Sequence, residues 1–155
     1  VCGSAEQIPR TDDVWRVVTD DPDHREWDEI DRKWLPRSEH PSNALQFDPD
    51  FSSAWRQHLE QLHHETAAVL IDAEAKRTLV FQLPLLAVDD LGLTYAHTPE
   101  GSAPPACSHT SVYLPEDASG NGKGAKARRK AIRLDVARAM ELVMGDLPIE
   151  GPPGA

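Results

Sequence analysis

Cys107, His109, Ser111 and Tyr113 stand at every second position of the stretch 107–114, CSHTSVYL. Alternate residues of a β-strand project to one face, so this pattern predicts a row carrying a thiol, an imidazole, a hydroxyl and a phenol. An ordinary imidazole exchanges protons near neutral pH, which makes His109 the natural acid/base of the row. Cys107 is the candidate nucleophile, Ser111 the hydroxyl beside the base and Tyr113 a ligand contact. Neighbours on one strand face are roughly 6–7 Å apart. That is too far for a direct Cys107–His109 bond, so Cys107 needs a base that the sequence does not identify. The opposite face, Ser108, Thr110, Val112 and Leu114, suits a core. The plainer reading is a half-buried sheet face with a hydrogen-bonded histidine.

A second group of histidines lies in RQHLEQLHHE, residues 56–65. On a helix, His58 and His63 fall on the two edges of a face centred on Trp55, Leu59 and Leu62, and His64 points to solvent. Glu60 and His63 form one E-x-x-H unit, but a di-iron site needs a second and the sequence has none. A zinc ion held by Cys107, His109 and one or two helix histidines needs the fold to bring strand and helix together, and no C-x-x-C or H-E-x-x-H supports it. No metal and no cofactor are therefore assigned.

Two further segments could hold a ligand. GNGKGAKARRK, residues 120–130, places glycines before a helix and crowds Lys126, Arg128, Arg129 and Lys130 into its first turns. Cations there oppose the helix dipole, and an anion or an acidic surface of the same chain would relieve the conflict. The spacing is not that of a phosphate-binding P-loop. Residues 36–50, rich in proline, form a long loop with Arg37, Ser38, His40, Ser42 and Asn43 available for contacts.

These groups need elements to carry them. VWRVV (14–18) reads as a strand and TDDPD (19–23) as a turn. Trp27, Ile30 and Trp34 share one stripe and predict a helix over 24–35 ended by Pro36. Phe51, Trp55, Leu59 and Leu62 predict a helix over 51–65 capped by Ser52 or Ser53. AVLID and RTLVFQL predict a hairpin within 66–85, although its AEAK turn lacks glycine and asparagine. LGLTYAHTP (91–99) and 107–114 add strands. A last helix over 125–146 buries Ile132, Val136, Ala139, Met140 and Val143 and stops at Gly145. Successive strands without intervening helices predict an α+β fold: a mainly antiparallel sheet packed on about three helices. The domain is expected to span 11–147, between mobile ends 1–10 and 148–155.

Composition narrows the function. With 39% hydrophobic and 27% charged residues, the 155-residue chain fits one globular domain. Its net charge of −10 argues against a general nucleic-acid binder. The charge is uneven: residues 1–50 hold thirteen acidic against six basic side chains, and residues 123–138 hold seven basic against Asp135 alone. No run of 18 apolar residues spans a membrane, and no signal peptide is visible. Cys2 and Cys107 can pair, but nothing in their spacing requires it, and a reduced, cytoplasmic protein is expected. The reading is a small-molecule-binding protein or small enzyme acting on an anionic, phosphate-bearing or nucleotide-like ligand. Its site joins the 107–113 strand face, the 36–50 loop and the start of the last helix, with Arg37, Arg128 and Arg129 holding charge. The alternative is an accessory domain that binds a protein partner through its acidic surface and basic helix.

Overall fold

Three short β-prone runs dictate the centre of the structure. DVWRVVT, DFSSAW and RTLVFQLP each alternate side chains between two apolar environments, and they form β1 (Asp13–Thr19), β4 (Asp50–Trp55) and β5 (Arg77–Pro84). The computed structural model describes residues 2, 4–39, 42–47 and 50–153. Its remaining elements are β2 (Arg25–Asp28), β3 (Lys33–Pro36), α1 (Arg56–Leu62), α2 (Leu85–Asp90), β6 (Thr94–His97), β7 (His109–Tyr113), α3 (Lys123–Ala139) and β8 (Glu141–Met144). Six strands form one sheet in the order β6-β7-β4-β1-β5-β8, and every pairing is antiparallel. With three helices against it, this is the α+β architecture expected from the strand order.

Each sheet face has its own core. On one face Val14, Phe51, Phe81 and Val112 meet Leu85 and Val88 of α2 and Ile132 and Val136 of α3. On the other, Trp15, Ala54 and Val80 pack with Leu59 of α1 and Ala67 of the 3-10 turn Ala67–Leu70. No helix among the described residues is long and apolar enough to cross a membrane.

Four expected elements differ, each for a tertiary reason. The helix expected over 24–35 is the hairpin β2–β3, with Trp27 directly opposite Trp34. A separation of seven residues suits two helical turns, but it also fits a hairpin, and here the indoles meet edge to face at 5.5 Å. Ile30 sits in the turn, 84% exposed. The helix expected over 51–65 begins only at Arg56, because β4 is claimed by β1 and β7. The AVLID run forms the 3-10 turn, with Asp72 and Arg77 as an isolated bridge, rather than a strand. The last helix stops at Ala139, and the chain turns into β8 against β5. Lys33 Nζ caps that end, donating to the carbonyls of Arg138 at 2.9 Å and Met140 at 3.0 Å.

Described residues near each end pack on the domain. Ile8 is buried in the first core, Trp34 Nε1 donates to the Pro148 carbonyl at 2.7 Å, and Gly151 lies against the Trp27 indole.

Candidate functional site

The strand face proposed from sequence exists in part. His109 and Ser111 lie on β7 and share a face, since Ala54 and Ser52 of β4 stand opposite them. Thr110 and Val112 point into the sheet's first core face and are fully buried. Tyr113 ends the strand, 36% exposed. Cys107 is not on the strand. It lies in the 3-10 turn Ala106–Ser108, fully buried and disulfide-bonded to Cys2, with Cα atoms 5.5 Å apart. With its sulfur in that bond Cys107 offers no free thiolate, so a nucleophilic role for it would require the reduced pair.

His109 instead has an unforeseen hydroxyl partner. The ladder sets Ser52 diagonally from His109, within reach of a side chain. Ser52 Oγ is 2.5 Å from His109 Nε2. On the ring's other side, Nδ1 is 3.0 Å from the Thr98 carbonyl oxygen, which can only accept, so the proton sits on Nδ1 and Nε2 accepts from Ser52. Thr98 Oγ1 also contacts Nδ1 and Ser111 Oγ, both at 2.9 Å. Ser111 thus braces Thr98 from the same strand face. Glu100 Oε1 stands 3.5 Å from Nε2, close enough to stabilise an imidazolium.

This pair lines a cleft of about 250 Å³. Its floor is apolar, formed by Trp15, Val17 and Ala54, and Leu70, Pro105 and Ala106 close its sides. Arg16 and Arg77 also line it. The position of Arg16 follows from the sheet. Strands β1 and β4 pair only at Val14–Trp55 and Trp15–Ala54 and then part. The Arg16 guanidinium fills the gap, donating to the Ser52 carbonyl at 2.9 Å and the Ala44 carbonyl at 3.2 Å, over the Phe51 ring. Burial, and after it the charge of Arg77, push its pKa down to about 10. Neither arginine makes an ion pair among the described residues, and the cleft lining sets these two cations against the single carboxylate of Glu100.

The other residues expected at the site are elsewhere. Helix α3 covers the opposite sheet face, so Lys126, Arg128 and Arg129 do not approach His109. Arg128 pairs with Asp117 at 3.6 Å, and Arg129 donates to the carbonyls of Ala118 and Gly120. Within the basic block these two arginines thus have partners in the chain, while Lys126 and Lys130 are exposed. Arg37 follows β3, and its backbone N–H donates to His24. Of the 36–50 loop, Asn43 and Ala44 reach Arg16 and Arg77 around a smaller cleft. His40 lies outside the described residues.

A second group assembles around α1. His58 is buried and stacked on Trp55 with centroids 4.8 Å apart, and burial pushes its pKa below the ordinary imidazole value. Its Nδ1 is 2.6 Å from Ser108 Oγ and its Nε2 3.2 Å from Glu6 Oε2. His97 accepts from the Glu6 backbone N–H at Nδ1 and so donates from Nε2 to the Cys107 carbonyl, at 3.0 and 2.7 Å. That one buried ring ties the N-terminal segment to the turn carrying Cys107.

Sequence reasoning missed Ser52, Thr98, Arg16 and Glu100. None of the four left a local signal: in FSSAW three small residues separate Phe51 from Trp55, a spacing that continues into the helical stripe and hides the strand. No family model, curated protein or solved structure matches this chain.

Proposed function

We propose that the protein is a small hydrolase that binds an anionic small molecule in the His109 cleft and uses Ser52 as its nucleophile. The observation that carries this reading is the oriented pair: Ser52 Oγ at 2.5 Å from Nε2, with Nδ1–H held by a carbonyl. A nucleophile, a base and a group orienting the base are the parts of an activated serine. The Ser52 hydroxyl attacks an ester carbonyl carbon, and its proton passes to Nε2. Glu100 stabilises the imidazolium. The carbon–oxygen bond to the alcohol breaks as Nε2 returns the proton to the leaving oxygen. Water then cleaves the acyl-Ser52 bond by the same route. Arg77 at the cleft, backed by the charge of Arg16, selects substrates carrying a carboxylate or phosphate. An apolar floor with a few convergent polar groups is the usual form of a small-molecule site.

The test compares hydrolysis of p-nitrophenyl acetate with that of the p-nitrophenyl monoester of succinic acid, and looks for an acyl or phosphonyl adduct on Ser52 by mass spectrometry. Turnover of both esters, faster for the anionic one, and an adduct lost in Ser52→Ala are expected. Absence of any Ser52 adduct from an ester or an activated phosphonate rejects the hydrolase.

A further inference from the structure

Cys2, His58, His63 and Cys107 each offer a ligand atom, and all four atoms lie within 4.8 Å of one another. They come from the N-terminal segment, α1, the residue after α1 and the 106–108 turn. We propose that the reduced protein binds a divalent metal ion of the zinc class at these four side chains. The same two sulfurs that close the disulfide would then be metal ligands, so the disulfide and the metal are mutually exclusive states of one site.

Two sulfurs and two imidazoles form a standard tetrahedral zinc set. Ligand atoms of such a centre stand roughly 3.3–3.8 Å apart. Reaching that spacing from the observed cluster takes side-chain adjustment and separation of the sulfurs, with no rearrangement of the sheet. His63 supplies an independent pointer. Its Nε2 is buried and has no hydrogen-bond partner among the described residues. A buried ring nitrogen without a partner is costly in any protein interior; a metal ion would satisfy it. His58 is prepared from outside. Whichever of its nitrogens takes the metal, the other keeps a partner, Glu6 on Nε2 or Ser108 on Nδ1. Metal-bound histidines characteristically have such outer partners. His97 is the positioning residue, since it holds the backbone of both cysteine-bearing segments. As a thiol, Cys2 has an acceptor in place, the Cys107 carbonyl oxygen 3.0 Å from Sγ.

The chemistry balances with a reductant and a metal. A phosphine reduces the disulfide with two electrons and becomes its oxide, taking oxygen from water, while the two sulfurs take up two protons. The metal ion then displaces both protons to the buffer. A reducing compartment would favour the metal-bound state and an oxidising one the disulfide.

The experiment titrates Co²⁺, then competing Zn²⁺, into the 155-residue protein held reduced by a phosphine, and into the oxidised protein. Expected are one equivalent bound by the reduced form only, the visible bands of tetrahedral cobalt, and a near-ultraviolet thiolate-to-metal band. His63→Ala should weaken binding by roughly tenfold or more, since a ligand costs at least as much as an outer partner, while the metal-free, oxidised protein should melt no lower than the wild type. Cys107→Ser should weaken binding and lower the thiolate band of any bound cobalt, leaving only the contribution of Cys2. Should reduction loosen the fold, recovery of native circular dichroism on adding Zn²⁺ supports the site. No stoichiometric binding, an octahedral spectrum, or unchanged affinity in His63→Ala overturns it, whatever the fate of Ser52.

Discussion

Two histidine centres flank the turn at 106–108, and they are assembled in opposite ways. His109 directly follows the turn, and its partners Ser52 and Thr98 lie on β4 and just after β6, the two strands beside its own. Both of its ring nitrogens are satisfied. The centre around Cys107 draws on residues 2, 58 and 63, brought together by the N-terminal segment and α1, and one of its nitrogens is left without a partner. The difference is between a site made by sheet register and a site made by packing of distant segments. The first is complete in its hydrogen bonds and faces an open cleft. The second is buried and can satisfy all four side chains only by gaining something.

The largest expected effect separates the two centres by function. Ser52→Ala should lower ester hydrolysis by about 10²-fold or more, because the nucleophile itself is removed, while Cys2→Ser leaves it within a few-fold. Steady-state rates on the succinyl ester check this, and an equal loss in both variants would mean that the centres are one site.

Stability should separate them in the other direction. The disulfide joins residues 105 apart in sequence, so it restricts a large part of the unfolded chain. Removing it by Cys107→Ser should cost about 2–5 kcal/mol, measured by urea unfolding without reductant. Adding a phosphine to the wild type should reproduce most of that loss, whereas Ser52→Ala should show little of it.

The helix presenting His58 and His63 has one buried side and one open side. Leu59 is fully buried and Leu62 is 44% exposed. Leu59→Ala should therefore cost about 2–5 kcal/mol, and Leu62→Ala no more than about 0.5 kcal/mol. Equal unfolding midpoints for the two would contradict this orientation of α1.

The smallest effect lies away from both centres. Arg128 is paired with Asp117 at an exposed surface and faces neither histidine group. Arg128→Gln should change stability by less than about 1 kcal/mol and leave hydrolysis and cobalt binding unchanged. A clear loss of anionic-ester turnover would reconnect α3 to the cleft.

Sequence determined β1, β5 and β7, the antiparallel α+β class, the shared face of His109 and Ser111, and the burial of Trp55 and Leu59, because alternation and helical spacing are local properties that one face of a core preserves, whereas β4 was masked by the helical spacing of Phe51, Trp55 and Leu59. Tertiary structure decided the rest. Trp27 and Trp34 satisfy a two-turn helix and a hairpin equally well in sequence, and only the edge-to-face pairing of the indoles chooses between them. Helix α3 ends where Lys33, from another strand, supplies its cap. The same limit applies to both sites. That Ser52 reaches His109 depends on the register of β4 against β7, and that Cys2 reaches Cys107 depends on His97 holding two segments together. Such contacts join residues far apart in the chain, and their geometry comes from the packing of whole elements, which no local spacing encodes.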